Sequence, residues 1–82
     1  MSHQIEIAIE IMNRGSWLKV FIPYETSAPM TATLQNHVGE TLKMMKLETG
    51  NNLIDIEAIT NQAILIKIDT AYETILKELN LE

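Results

Sequence analysis

Residues 5–12 alternate between isoleucine and other side chains, and this pattern limits the possible folds more than any other feature of the sequence. The alternation places isoleucine at positions 5, 7, 9 and 11, with glutamate at two of the positions between them. Successive side chains of a β-strand point to opposite faces, so a period of two collects the isoleucines on one face. The sequence therefore predicts a strand with one buried face. A hairpin turn at Asn13-Arg14-Gly15 and a second strand from Ser16 to Ile22 follow it.

Two more strands and two helices are predicted further along the chain. Alternating isoleucines indicate a third strand at residues 54–58 and a fourth at residues 64–68. A helix over Glu40–Leu47 is predicted, extending back to Pro29, because apolar residues recur there at spacings of three and four. The members of that face are Met30, Leu34, Val38, Leu42 and Met45. An extended conformation at Thr31–Leu34 is the alternative for its first part.

The last predicted element is a short helix at the end of the chain. Thr70 and Glu73 fit a capping box, in which each side chain accepts a free N–H of the other residue. The apolar face of this helix would consist of Tyr72, Ile75, Leu76 and Leu79.

These elements give the order ββαββα in one domain spanning residues 1–82. The fold class that follows is α+β: a two-layer sandwich with a four-stranded, mostly antiparallel sheet and both helices on one face. Residues 13–26 and 61–74 share five identities at an offset of 48. Either an internal ββα duplication or chance explains them, and the sequence leaves both open.

Charge and composition exclude several classes of function. The net charge is −5, and the six basic residues are scattered, so no basic patch is available for nucleic acid or an anionic membrane surface. No apolar stretch approaches the roughly 18 residues of a membrane span. Cysteine is absent, which excludes disulfides and thiolate chemistry. With no signal-peptide pattern at the start, the sequence predicts a cytoplasmic protein.

No catalytic or metal-binding pattern stands out. His3 and His37 are the only histidines, and zinc requires three or four ligands. Glu6 and Glu10 lie about 13 Å apart on a strand, at ~3.3 Å per residue, which is too far for a paired-carboxylate site. The three glycines are isolated, so no phosphate-binding loop exists. We expect neither cofactor nor metal, and the sequence leans away from an enzyme without deciding the question.

The second strand carries the main indication of function. If alternate residues from Leu18 face the core, then Trp17, Lys19 and Phe21 share the opposite face. On the fourth strand Leu65 takes an equivalent outward position. An apolar patch on an uncovered sheet face is typical of an interface. The alternative is that other segments of the chain fold over that face.

Three hypotheses of function remain at this point. The favoured one is a non-enzymatic module that self-associates or docks a protein partner through this sheet face or a strand edge. The second is a ligand-binding or enzymatic subunit whose pocket forms between protomers, lined by Tyr24 and His37 with Trp17. The third is an acidic inhibitor of a nucleic-acid-binding protein. The sequence specifies no partner, process or oligomer number.

Overall fold

Seven β-strands make up the regular structure of the residues that the structure describes. A computed structural model describes residues 7–12, 16–25, 27–60 and 63–81. The strands are β1 (Ala8–Met12), β2 (Trp17–Ile22), β3 (Met30–Gln35), β4 (Thr41–Leu47), β5 (Gly50–Asp55), β6 (Ala63–Asp69) and β7 (Thr74–Asn80). No residue in these ranges is helical. A helix long and apolar enough to cross a membrane is accordingly not found among them.

The strands form two antiparallel sheets that pack into a sandwich. The first sheet has the order β1-β2-β5 and the second the order β4-β3-β6-β7. The chain therefore crosses between sheets after β2, β4 and β5. Immunoglobulin constant-type sandwiches pair their strands in the same way, except that β4 here lies beside β3 rather than beside β5. Unrelated functions share this architecture, so it indicates no activity by itself.

The core is one layer of aliphatic side chains between the sheets. Alternate residues of β2 and β6 point into it, and Leu18, Val20 and Ile66 have no exposed surface. The other buried hydrophobic residues are Ile22, Met30, Ala32, Leu34, Leu47, Ile54, Ile56, Ile64, Ile68 and Leu79. Full burial of such a side chain contributes roughly 1.5–3 kcal/mol, so this layer is the main source of stability.

The predicted α+β fold is wrong, because both regions assigned to helices are strands. The error arises from spacings of four residues, which equal about one helical turn and also two periods of a strand. Ile75 and Leu79 are four apart and both face the core in β7. Leu76, which a helix would place beside them, is 62% exposed.

The other predicted helix fails for the same reason. Met30 and Leu34 are four apart and lie on the buried face of β3, in the extended alternative for Thr31–Leu34. The next residue in the series, Val38, lies in the β3–β4 turn and is 80% exposed. Gly39 lies in this turn with a φ of +91°, a conformation that glycine adopts at little cost.

The capping-box residues close a hairpin instead of starting a helix. The Thr70 hydroxyl accepts hydrogen bonds from the N–H groups of Tyr72 and Glu73, each at 3.1 Å. The Thr70 N–H donates to the Glu73 carbonyl at 2.9 Å, and β7 begins at the next residue. A threonine hydroxyl makes the same local bonds in turns and in helix caps, so the local pattern does not distinguish them.

The isoleucine alternation predicts the strands better than the helical spacings predict helices. Strands are present where the first, second and fourth were predicted, although the third begins earlier, at Gly50. The predicted turn at Asn13-Arg14-Gly15 lies outside the described residues, but β1 and β2 pair as an antiparallel hairpin. The halves related by the offset of 48 contain no ββα unit, and their strands β2 and β6 belong to different sheets.

A buried asparagine holds the chain where it passes from β4 in one sheet to β5 in the other. The Asn52 side chain is 6% exposed. Its Oδ1 accepts from the Glu48 N–H at 2.8 Å, and its Nδ2 donates to the Glu48 carbonyl at 2.8 Å. The same Nδ2 lies 3.2 Å from the carbonyls of Val20 and Gly50. One amide therefore satisfies the backbone of this turn and ties it to β2.

We expect Asn52→Ala to lower the free energy of unfolding by about 2 kcal/mol, because it leaves buried backbone groups without partners. Urea denaturation measures the change. Asn51→Ala is the matched control, since Asn51 is exposed and points to the other face of β5. We expect the control to change stability by less than about 0.5 kcal/mol. Equal losses in the two variants would contradict the role given to Asn52.

Candidate functional site

The outer face of the first sheet, called the Trp17 face below, is the candidate contact surface. It carries three outward positions on each strand. Those positions are Ala8, Glu10 and Met12 on β1, Trp17, Lys19 and Phe21 on β2, and Asn51, Leu53 and Asp55 on β5. The alternation that buries Leu18, Val20 and Ile22 therefore directs Trp17, Lys19 and Phe21 outward, as the sequence predicts.

An ion pair leaves the middle of this face apolar. The Lys19 ammonium lies 3.7 Å from Glu10 Oε1, so the charged end of the side chain points towards β1. Leu53 is directly across from Lys19 on β5 and diagonal to both Trp17 and Phe21. Diagonal neighbours on a sheet are about 7–8 Å apart, within reach of aromatic side chains. Trp17, the Lys19 stem, Phe21 and Leu53 thus form one continuous apolar patch.

The exposure of these side chains differs. Trp17 is half-buried, whereas Phe21 is 38% and Leu53 52% exposed. Nothing in the sequence prediction singled out Leu53, although its alternation with Ile54 places it on the outer face. The patch is therefore centred between Phe21 and Leu53 more than on the tryptophan.

Leu65 lies on a different surface from the other three predicted interface residues. It points outward from β6 and so belongs to the outer face of the second sheet. Leu65 is diagonal to Leu76 of β7 on that face, but Thr33 and Lys67 lie between Leu76 and Met44 of β4, which are 62% and 64% exposed. Trp17, Lys19 and Phe21 are brought together, and Leu65 is not brought to them.

Tyr24 and His37, the predicted pocket residues, lie at opposite ends of the sandwich. The Tyr24 hydroxyl is 3.2 Å from both Thr70 Oγ1 and Glu73 Oε2, and its ring meets Tyr72 edge-on at 5.2 Å. His37 lies in the β3–β4 turn, with Nε2 2.7 Å from Glu78 Oε2 of β7. One chain therefore does not place Tyr24 and His37 in a common pocket.

The described chain offers little that resembles reaction chemistry. Within it, no three His, Asp or Glu side chains converge in a way that would hold a metal ion. An open pocket of about 250 Å³ lies between residues 27–30 and 46–49. Lys46 and Glu48 are the charged side chains of its lining, and neither Tyr24 nor His37 contributes to it.

Comparison with known proteins does not assign a function: no family model, no curated protein and no solved structure matches this chain. Function is therefore inferred from the geometry of the surfaces alone.

We expect Tyr24→Phe to destabilise the fold by about 1 kcal/mol, because the hydroxyl joins the segment after β2 to the β6–β7 turn. Thermal or urea denaturation measures the change. Tyr72→Phe is the matched control, because the Tyr72 hydroxyl has no hydrogen-bond partner in the part of the chain that the structure describes. Equal effects of the two substitutions would show that the hydroxyl of Tyr24 contributes nothing specific.

Proposed function

We propose that this domain is a non-enzymatic interaction module that associates with a second copy of itself through the Trp17 face. The observation that carries the proposal is the continuous apolar patch of Trp17, the Lys19 stem, Phe21 and Leu53. Phe21 and Leu53 of this patch are 38% and 52% exposed in the described chain. Patches of this kind on a sheet face mark sites of association.

The composition of the face suits a protein contact. Aromatic residues such as Trp17 are enriched among the residues that dominate binding energy. Asp55 lies at the β5 edge of the face, where it would form part of a polar rim, and Glu10 on β1 forms an ion pair with Lys19. An apolar centre with a polar rim is the usual arrangement of an interface.

The charges of the face favour a second copy as the occupant. Lys19 lies directly across from Glu10 and diagonal to Asp55, so the face carries both signs within a short distance. A twofold axis lets one such surface serve both partners. The net charge of −5 opposes association at long range, but salt screens it beyond about 8 Å at physiological ionic strength.

No observation favours the other two hypotheses to the same degree. Tyr24 and His37 lie too far apart for one copy to supply both to a pocket. An acidic inhibitor would present clustered carboxylates, and the described residues of the Trp17 face include only Glu10 and Asp55. The cytoplasmic location and the lack of nucleic-acid binding, cofactor and metal stay predictions from composition and charge.

The single tryptophan makes this proposal directly measurable. We expect the emission of Trp17 to shift to the blue, and its quenching by acrylamide to decrease, as the protein concentration rises. Phe21→Ser keeps the reporter and removes an apolar contact. It should raise the concentration needed for the shift at least about tenfold, the effect of losing roughly 1.4 kcal/mol.

The matched control is Met44→Ser with Leu76→Ser, which removes exposed apolar side chains of similar extent from the outer face of the second sheet. We expect its concentration dependence to equal that of the wild type. An emission maximum that never changes with concentration, or a control that behaves like Phe21→Ser, would contradict the proposal.

A further inference from the structure

The sandwich has four edge strands, β1 and β5 in the first sheet and β4 and β7 in the second. An edge strand presents unpaired N–H and C=O groups to any other extended chain. Proteins commonly prevent such pairing with lysine, with inward-pointing charges, or with bulges. The four edges of this domain differ in these features.

Both edges of the second sheet carry a lysine at an inward position. Lys43 on β4 is in register with the buried Leu34, and Lys77 on β7 is in register with the buried Ile66. The pairing of β3 with β4 also shifts by one residue after Leu34, so that edge contains a bulge. A strand added at either edge would have to accommodate a charge facing the core side.

The β5 edge is occupied in part by the chain itself. Lys43 Nζ donates to the Asp55 carbonyl at 2.7 Å. At the other end of β5, the inward position belongs to the polar Asn52, whose amide is committed to the β4–β5 turn. This edge is therefore also unsuited to a regular added strand.

The β1 edge has none of these features in its described part. Its pairing with β2 runs from Ala8 to Met12 without a register shift. It contains no lysine or proline. Its inward side chains Ile9 and Ile11, together with Ile7 just before the strand, pack against the core but are only half-buried. Of the four edges, β1 is the one suited to extension.

We propose that β1 pairs antiparallel with β1 of a second copy, which joins two first sheets into one sheet of six strands. This inference deepens the proposed function, because the joined sheet carries two Trp17 faces side by side. The partner's isoleucines would cover the half-buried Ile7, Ile9 and Ile11, which a polar extended peptide would not do.

Charge selects the register of this pairing. A twofold axis normal to the sheet pairs inward residues with inward residues. With the axis at Ile9, Ala8 lies opposite Glu10 of the partner subunit. With the axis at Glu10, that glutamate lies opposite its own copy, and like charges directly opposite are destabilising. Axes at Ala8 or Ile11 would pair fewer of the described residues, so the Ile9 register is the one we assign.

The small area of the Trp17 face explains why pairing at the β1 edge matters for association through that face. Three strands about 4.8 Å apart and six residues long present a projected area of only about 300 Å². Standard interfaces bury about 800 Å² per partner. Pairing at β1 doubles the face, and two such dimers would pack face to face about axes perpendicular to the first. Perpendicular twofold axes that intersect generate a closed tetramer.

Two substitutions at the exposed Ala8 test the edge contact in opposite directions. Ala8→Glu places like charges opposite each other twice per dimer, and Ala8→Lys places opposite charges there. We expect Ala8→Glu to weaken β1 pairing by up to about tenfold and Ala8→Lys to strengthen it by a similar factor, from two cross-strand pairs. Sedimentation equilibrium measures the masses, and thermal denaturation confirms that both variants fold.

The matched control is Thr41→Glu, which adds the same charge to the exposed end of the β4 edge and should leave association unchanged. Phe21→Ser should stop assembly at twice the mass of 9.3 kDa, since it leaves the β1 edge intact. If Ala8→Glu and Ala8→Lys have equal effects or none, the edge inference is overturned, even where Phe21→Ser still weakens assembly. If Ala8→Glu and Ala8→Lys have the expected opposite effects and Phe21→Ser changes nothing, pairing at β1 is supported and association through the Trp17 face is contradicted.

Discussion

The structure depends on a single apolar layer that two sheets share. Every strand sends alternate side chains into this layer, and those at the centre of β2 and β6 have no exposed surface. Because the period of a strand is two, whatever is not in the layer must face outward. The buried aliphatic residues thus determine the outer surfaces as strictly as they determine the core. The Trp17 face is the outward half of the pattern that buries Leu18, Val20 and Ile22.

The sequence predicts the fold well where its pattern fits only one periodicity. The run of alternating isoleucines cannot form a helical face, and the strands that contain it are present. Residues 40–47 and 72–79 fit both periods, because a spacing of four is common to them. Pairing with neighbouring strands decides between helix and strand in these two segments. β4 and β7 form the two edges of a sheet whose centre is β3 and β6. Sequence spacing contains no information about that pairing.

Part of the candidate site is also predictable from the sequence, because alternation determines which residues of a strand share a face. Alternation along β2 is enough to place Trp17, Lys19 and Phe21 on one face. Alternation does not show which sheet β6 joins. The sequence therefore groups Leu65 with Trp17, Lys19 and Phe21, whereas Leu65 lies on the other side of the sandwich. Leu53 was missed because the third strand was predicted to begin after it. The ion pair between Lys19 and Glu10 depends on the β1–β2 register, in which the two residues lie directly opposite each other.

The surfaces left by this arrangement account for the function we propose. The second sheet has a lysine at an inward position on each edge strand, and Thr33 and Lys67 lie between Met44 and Leu76 on its outer face. The first sheet has a continuous apolar patch and one regular edge. We therefore propose association through the first sheet and not through the second.

The most direct test of the account compares Leu76→Asp with Leu79→Asp by urea denaturation. A terminal helix would bury both leucines on one face, whereas β7 exposes Leu76 and leaves Leu79 6% exposed. We expect Leu76→Asp to change the free energy of unfolding by less than about 0.5 kcal/mol. Leu79→Asp should cost more than about 3 kcal/mol, because it buries an unpaired charge in the shared layer. Equal and large losses in both variants would contradict the seven-stranded sandwich and restore the helix.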